Sequence, residues 1–227
     1  NPIGGDLIST TRWTGVRVMD VLELAKMRSN GQELFIEAAD GFYESVSMAD
    51  LLDQRTILAY EMNGAPLPEE HGFPLRIIIP NRYGMKQPKW IVNMEVLDHE
   101  GEGYWVERGW SAEAFVRTTS VVDAVAREAV DEVAGTLPVG GIAYAGGSGI
   151  SRVDVQVDDG PWAEAQLRAP ALSGLTWVQW RYDWPVVSGR HTFRVRATDV
   201  SGDPQIETPA GVRPDGATGV HDFKITI

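Results

Sequence analysis

Residues 191–197, His-Thr-Phe-Arg-Val-Arg-Ala (HTFRVRA), decide the fold of the second half of this 227-residue chain. Phe193, Val195 and Ala197 alternate with Thr192, Arg194 and Arg196. That period of two is expected of a strand with one buried and one wetted face. Outward from it, VDVQV at 153–157, TWVQW at 176–180 and HDFKITI at 221–227 repeat the texture. Turn residues stand between them at Asp159-Gly160, Ser188-Gly189 and Ser201-Gly202-Asp203. No helical periodicity interrupts this run, which predicts an immunoglobulin-like antiparallel β-sandwich over residues 140–227. Gly146-Gly147-Ser148-Gly149 precedes a strand instead of a helix, so it reads as a turn and not as a phosphate loop.

The first half reads differently. In RVMDVLELAKMR (17–28), Val18, Val21, Leu22 and Ala25 share one helical face, predicting an amphipathic helix ended by Gly31. Strands are expected at 34–36, 56–62, 75–80 and 90–97. Ser47-Met48-Ala49-Asp50 has the spacing of a capping box for a short helix through Leu52, and Asn63-Gly64 is a tight-turn pair. Short helices and strands without a βαβ rhythm predict an α+β chain. Its expected parts are a mixed α/β domain over 1–119, a connector over 120–139 with a polar helix at 120–133, and the sandwich.

A net charge of −12 excludes sequence-independent nucleic-acid binding, since phosphate neutralisation needs surplus Lys and Arg. The absence of cysteine excludes disulfides and thiolate metal sites among these residues. No apolar run is long enough to span a bilayer, so the chain itself is expected to be soluble. His71, His99, His191 and His221 have no metal-ligand spacing, and Ser9, Ser111 and Ser148 lack a nucleophile-elbow context. Asp158-Asp159-Gly160 reads as a hairpin turn. Asn1 opens the sequence without Met directly before a motif-rich stretch, as expected of a boundary cut inside a longer protein.

Against this acidic background, the window between Glu70 and Glu95 holds no carboxylate but contains His71, Arg76, Arg82, Lys86 and Lys89. Such an island suits an anion, particularly a phosphate that two or three donors share. Gly84 permits close backbone approach, and Pro80 and Pro88 stiffen the loop. The competing reading is a solvated basic loop paired with Glu69, Glu70 or Glu95.

GGDLISTTRWTGV (4–16), NGAPLPEEHGFPLRIIIPNRYGMKQPKW (63–90), GYWVERGW (103–110) and GIAYAGGSGISRVDVQVDDGPWAEAQL (141–167) stand in one order along the chain. Together they resemble the sulfite oxidase-type molybdopterin-dependent oxidoreductases, specifically the C-terminal part of the molybdopterin domain and the dimerisation domain that follows it. The resemblance implies a molybdenum-molybdopterin cofactor whose phosphate is bound by His71, Arg76, Gln87, Pro88 and Lys89, with Lys86 nearby and Ala39 near another pterin contact. Arg12, Trp13 and Arg108 become possible pocket residues. It also implies a molybdenum-ligating cysteine a few residues before the GGDLI-type segment, where this sequence has none. The isolated chain is therefore expected to be inactive and empty of cofactor.

For the whole protein the resemblance implies a homodimer formed through the C-terminal domain, a separate electron carrier and a small-molecule substrate, an oxyanion or S-oxide. It also implies an extracytoplasmic or membrane-associated location. A non-catalytic dimerisation or binding module is the alternative. Trp13 and Trp90 either wall a cofactor pocket or pack as ordinary core. Tyr104, Trp105 and Trp110 line a substrate entrance or a domain junction. Arg108 and Arg117 either reach an oxyanion or pair with Glu107 or Glu113.

Overall fold

The computed structural model describes residues 8–131 and 133–227. Gly4 to Leu7 of the first motif therefore lie outside the described residues. The fold is mostly antiparallel β-sheet with few helices, in two compact units: Thr10–Phe115 with Arg213–Asp215, and Val116–Val212 with Gly216–Ile227.

In the first unit β1 (Trp13–Arg17) runs directly into α1 (Val18–Leu24). The hairpin of β2 (Glu33–Ala38) and β3 (Tyr43–Ser47) leads to α2 (Met48–Leu51). β4 (Ile57–Met62), β5 (Ala65–Pro66), β6 (Arg76–Ile78) and β7 (Ile91–Leu97) complete it. One sheet runs β1-β4-β5 with β6 also on β4, and the other runs β3-β2-β7. Val18 and Leu22 of α1 join Leu34, Ile36, Val46, Leu51, Leu58, Ile77 and Ile79 in one apolar core. Gly15 sits where the β1–β4 register shifts, and a Cβ there would lie 2.3 Å from the Leu58 carbonyl oxygen. Only glycine allows that approach.

Half of the expected capping box forms: the Ser47 side chain accepts from the Asp50 N–H at 3.3 Å, while the Asp50 carboxylate pairs with Arg82. Asn63 and Gly64 take φ 55° and 81°, the paired left-handed conformations of a tight hairpin turn. Two expectations need correction. The first helix stops at Leu24, not near Gly31, because Lys26 turns left-handed at φ 56° and Leu24 faces solvent, 85% exposed. The unit also holds less helix than a mixed α/β domain, since its two α-helices have seven and four residues.

The second unit contains β8 (Thr119–Val125), β9 (Thr136–Tyr144), β10 (Ile150–Val157), β11 (Trp162–Glu164), β12 (Gln166–Leu167), β13 (Val178–Pro185), β14 (Arg190–Asp199) and β15 (His221–Thr226). They form two four-stranded sheets, β11-β10-β14-β15 and β12-β13-β9-β8. Both contribute to one core, with Val153, Val155, Phe193, Val195 and Ala197 from the first sheet and Val122, Leu137, Val139, Trp180 and Trp184 from the second. Phe193 meets Trp184 edge-on at 5.2 Å between ring centroids.

The polar helix expected over 120–133 is instead strand β8 and a short 3-10 turn at Arg127–Ala129. β8 is an edge strand with its register shifted between Val122 and Ala124, so its burial does not alternate cleanly: Ser120 is buried while Thr119, Asp123 and Ala124 are exposed. On the outer face of β10 and β14, Asp154 pairs with Arg152 at 2.7 Å and with Arg196 at 3.6 Å. No described helix is long and apolar enough to cross a membrane.

Candidate functional site

Pro68 and Gly72 bracket a single 3-10 turn, Glu69–His71, in the first unit. Its three successive carbonyl oxygens are each taken by a different side chain. Trp90 Nε1 donates to Glu69 at 2.7 Å, Lys89 Nζ to Glu70 at 2.9 Å, and Arg76 Nη1 to His71 at 3.0 Å.

These donors arrive from β6 and from the segment entering β7. The Ile77 N–H donates to the Pro88 carbonyl at 3.1 Å and the Ile91 N–H to that of Leu75 at 3.1 Å, so residues 88–91 run against β6. The Ala39 N–H ties the Trp90 carbonyl at 2.9 Å, and Trp90 holds φ 53°, an uncommon conformation for a non-glycine residue.

Gly72, at φ 110°, closes the turn between the two cations. A Cβ there would stand 3.0 Å from Lys89 Cβ and 3.1 Å from Arg76 Cβ. A side chain would fill the space that glycine leaves between them. Each cation also rests on an indole: Arg76 lies 4.8 Å from the centre of the Trp13 ring, and Lys89 4.2 Å from that of Trp90. Arg76 is half-buried and its Nε is buried without a partner. Burial draws its pKa below the ordinary guanidinium value. A buried donor left unmatched calls for an acceptor, and an anion's oxygen suits it.

The remaining site residues separate into two groups. Pro88 is buried and contributes its carbonyl to Ile77, while the His71 side chain is exposed beside the turn. Gln87 Nε2 donates to the Arg82 carbonyl at 3.0 Å. Lys86, expected near the phosphate, is instead buried against Glu44 at 2.8 Å and the Ser45 carbonyl at 2.8 Å. Arg82 is likewise engaged, with Asp50 at 2.5 Å and the Phe115 ring at 3.4 Å. The basic island thus divides into an outward pair, Arg76 and Lys89, and an inward pair, Arg82 and Lys86.

Among the expected pocket residues, Trp13 joins the cluster through Arg76. Arg12 is exposed, and its backbone pairs with Asn63. Arg108 donates to the Tyr104 carbonyl at 2.6 Å, stacks on the Tyr104 ring at 3.6 Å and lies 3.5 Å from Glu107. The Glu107 contact expected as the alternative for Arg108 is therefore present. Tyr104 also packs on Phe42 and Tyr43 of the β2–β3 hairpin, with Trp105 and Trp110 continuing the aromatic row. Among the described residues no group of three His, Cys, Asp or Glu could hold a metal ion.

The sequence reading missed Gly72 and the capping role of Trp90. Their signal was present in the glycine directly after His71 and in the Lys-Trp pair at 89–90.

Two family models match the chain: the oxidoreductase molybdopterin binding domain over residues 1–105, and the Mo-co oxidoreductase dimerisation domain over residues 111–210. The mitochondrial sulfite oxidase of Homo sapiens is 29% identical over 238 aligned residues, covering 90% of this chain and 44% of its own length. That of Drosophila melanogaster is 30% identical over 231, covering 87% and 40%. The chain thus spans less than half the length of either relative. Among solved structures, the sulfane dehydrogenase SoxCD of Paracoccus pantotrophus matches with a TM-score of 0.78 at 22% identity, covering 95% of this chain and 60% of that one. The likeness to SoxCD is one of fold.

Proposed function

The chain belongs to the sulfite oxidase-type family of molybdopterin-dependent oxidoreductases, and we propose that the turn between Arg76 and Lys89 binds the phosphate of the pterin cofactor in the whole enzyme. That enzyme transfers an oxygen atom and electrons on a small oxyanion or S-oxide. When bound, the cofactor supplies the redox chemistry, while the protein contributes position and electrostatics.

One observation carries this reading. Arg76 and Lys89 converge on Gly72, and Arg76 keeps a buried Nε without a partner. In this role Arg76 offers a fork of donors and Lys89 a compact charge, while His71 stands exposed at the rim. Trp13 and Trp90 hold the two cations in place from behind. The chain has no cysteine, so a thiolate ligand to molybdenum has to come from outside these residues. The isolated chain is accordingly proposed to retain little cofactor and to be inactive. The sandwich, matched by the dimerisation domain, is proposed to pair two copies of the whole enzyme, which passes electrons to a separate carrier.

Isothermal titration with inorganic phosphate and pyrophosphate tests the turn directly. An Arg76→Ala, Lys89→Ala double variant should bind at least about tenfold more weakly, since two charge-assisted contacts are removed. Equal affinity would discard the site. Molybdenum analysis of a longer gene product tests the enzyme. Stoichiometric metal that disappears when an upstream cysteine is replaced supports catalysis, whereas a folded, metal-free dimer leaves only an assembly module.

A further inference from the structure

The ion pair between Glu44 and Lys86 lies outside the site above and is buried, at 0% and 4% exposure, where the site's own cations Arg76 and Lys89 are only half-buried. We propose that this pair is a positioning device that fixes the 84–89 loop, and with it Lys89, against strand β3. The proposal deepens the anion-site reading and rests on it for its functional meaning.

Lys86 closes the 3-10 turn Gly84–Lys86, three residues ahead of Lys89. Within that loop the Lys86 N–H donates to Tyr83, the Gln87 N–H to Gly84, and Gln87 Nε2 to Arg82. Those bonds make the loop internally stiff, but they do not hold it to the sheet. Lys86 Nζ does, by donating to Glu44 Oε1 and to the Ser45 carbonyl, both at 2.8 Å. The acceptor is itself immobilised. Glu44 Oε1 takes the Ser45 N–H at 3.0 Å, and Gly103 covers the carboxylate so closely that a Cβ there would lie 1.7 Å from Oε1.

A buried ion pair is a poor source of net stability, because desolvation offsets most of the attraction, and apolar residues of equal volume often do as well. Glu44 Oε2, buried without a partner, makes this pair poorer still. What charge adds is direction. An apolar contact tolerates sliding by a fraction of an ångström, whereas an ammonium shared between two fixed oxygens does not. The next segment, 87–89, supplies the Pro88 carbonyl to Ile77 and Lys89 to the turn. Lys89 thus follows two successive anchors, Lys86 on β3 and Pro88 on β6, and loosening the first leaves the second alone to hold the approach to the cation beside Gly72.

The experiment compares the wild-type chain with a Glu44→Leu, Lys86→Met double variant and a Glu44→Gln variant. It reads thermal midpoint, affinity for inorganic phosphate, and hydrogen exchange of the peptide spanning 84–91. The double variant should recover a thermal midpoint within a few degrees of wild type, yet bind phosphate at least about tenfold more weakly and exchange faster across 84–91. Wild-type affinity and exchange in the double variant would show the pair to be replaceable packing and overturn the proposal. Should the double variant fail to fold, Glu44→Gln decides, because it keeps the volume and loses the charge. Unchanged exchange in it sinks the idea. If the wild-type chain binds no phosphate, the anion-site reading and the functional role proposed here fail together, whereas faster exchange across 84–91 still isolates the mechanical link.

Discussion

The two units bury polar groups in opposite ways. In the sandwich, Ser120, Asp154, Asp199 and Gln205 are buried and each has a partner: Ser120 bonds Gln205 at 2.7 Å, Asp154 pairs with Arg152 at 2.7 Å, and Asp199 takes the Asp203 N–H at 2.9 Å. In the first unit lie all of the described buried side-chain atoms without a partner: Glu44 Oε2, Arg76 Nε, Asn81 Oδ1, Arg82 Nη1 and Trp110 Nε1. Three of these belong to the basic window between Glu70 and Glu95, and a fourth belongs to the residue that holds Lys86. Unmatched polar atoms are costly in a scaffold and persist where something else is gained. The contrast separates a unit whose described buried polar side chains are matched from one that leaves both donors and acceptors unmatched.

Substitutions should break the two units by different routes. In the sandwich, Phe193→Ala removes a fully buried ring and should cost about 3–5 kcal/mol in denaturant unfolding. A loss below about 1 kcal/mol would mean that the core does not depend on its apolar filling. In the first unit, Lys86→Met should cost a comparable amount, about 3–5 kcal/mol, because it strands the Glu44 carboxylate without a counter-charge. The corresponding sandwich substitution, Arg152→Met, should cost less than about 1 kcal/mol, since Arg152 is half-exposed and Arg196 remains beside Asp154. Equal losses for Lys86→Met and Arg152→Met would erase the comparison. Ser47→Ala removes the cap of α2 and should cost about 1 kcal/mol, checked by thermal melts of the two proteins.

The subtlest test is pH. Burial raises the pKa of Glu44 above the usual glutamate value, with Lys86 only partly offsetting it. The folded state therefore keeps this proton after the unfolded chain has released it. The contribution is present below about pH 4.3 and is lost as pH rises through the folded value. In the sandwich, the hydrogen bond from His191 holds Asp158 below the usual aspartate value. Its contribution is present above about pH 3.9 and is lost as pH falls through the folded value. Urea midpoints measured across the acidic range should give slopes of opposite sign for Glu44→Gln and Asp158→Asn, each relative to wild type. Slopes of the same sign would refute the assignment.

Where local pattern decides structure, the sequence was legible. The alternation of Phe193, Val195 and Ala197 placed β14 and its core face, and Ser47 and Asn63-Gly64 behaved as their chemistry dictates. The basic window was legible as an anion-seeking region because charge composition is local. Which of its cations face outward was not. Lys86 is turned inward by Glu44, 42 positions earlier, and YESVS at 43–47 looks like surface until a distant lysine neutralises it. The misread helix over 120–133 failed for a related reason: an edge strand with an irregular register carries no clean period. Long-range pairing and edge geometry are what a single sequence hides.

The turn at Glu69–His71 has one more consequence. Its own backbone oxygens already take one donor from each of the two cations, so an arriving phosphate would meet charges that are gathered in advance and an Arg76 Nε still unmatched. Such an arrangement demands a guest with several oxygens in the right places. A halide is a single sphere without fixed acceptor directions, so it gains less than phosphate from donors set at separate places. High chloride should therefore weaken phosphate binding here less than simple screening of two exposed charges would suggest.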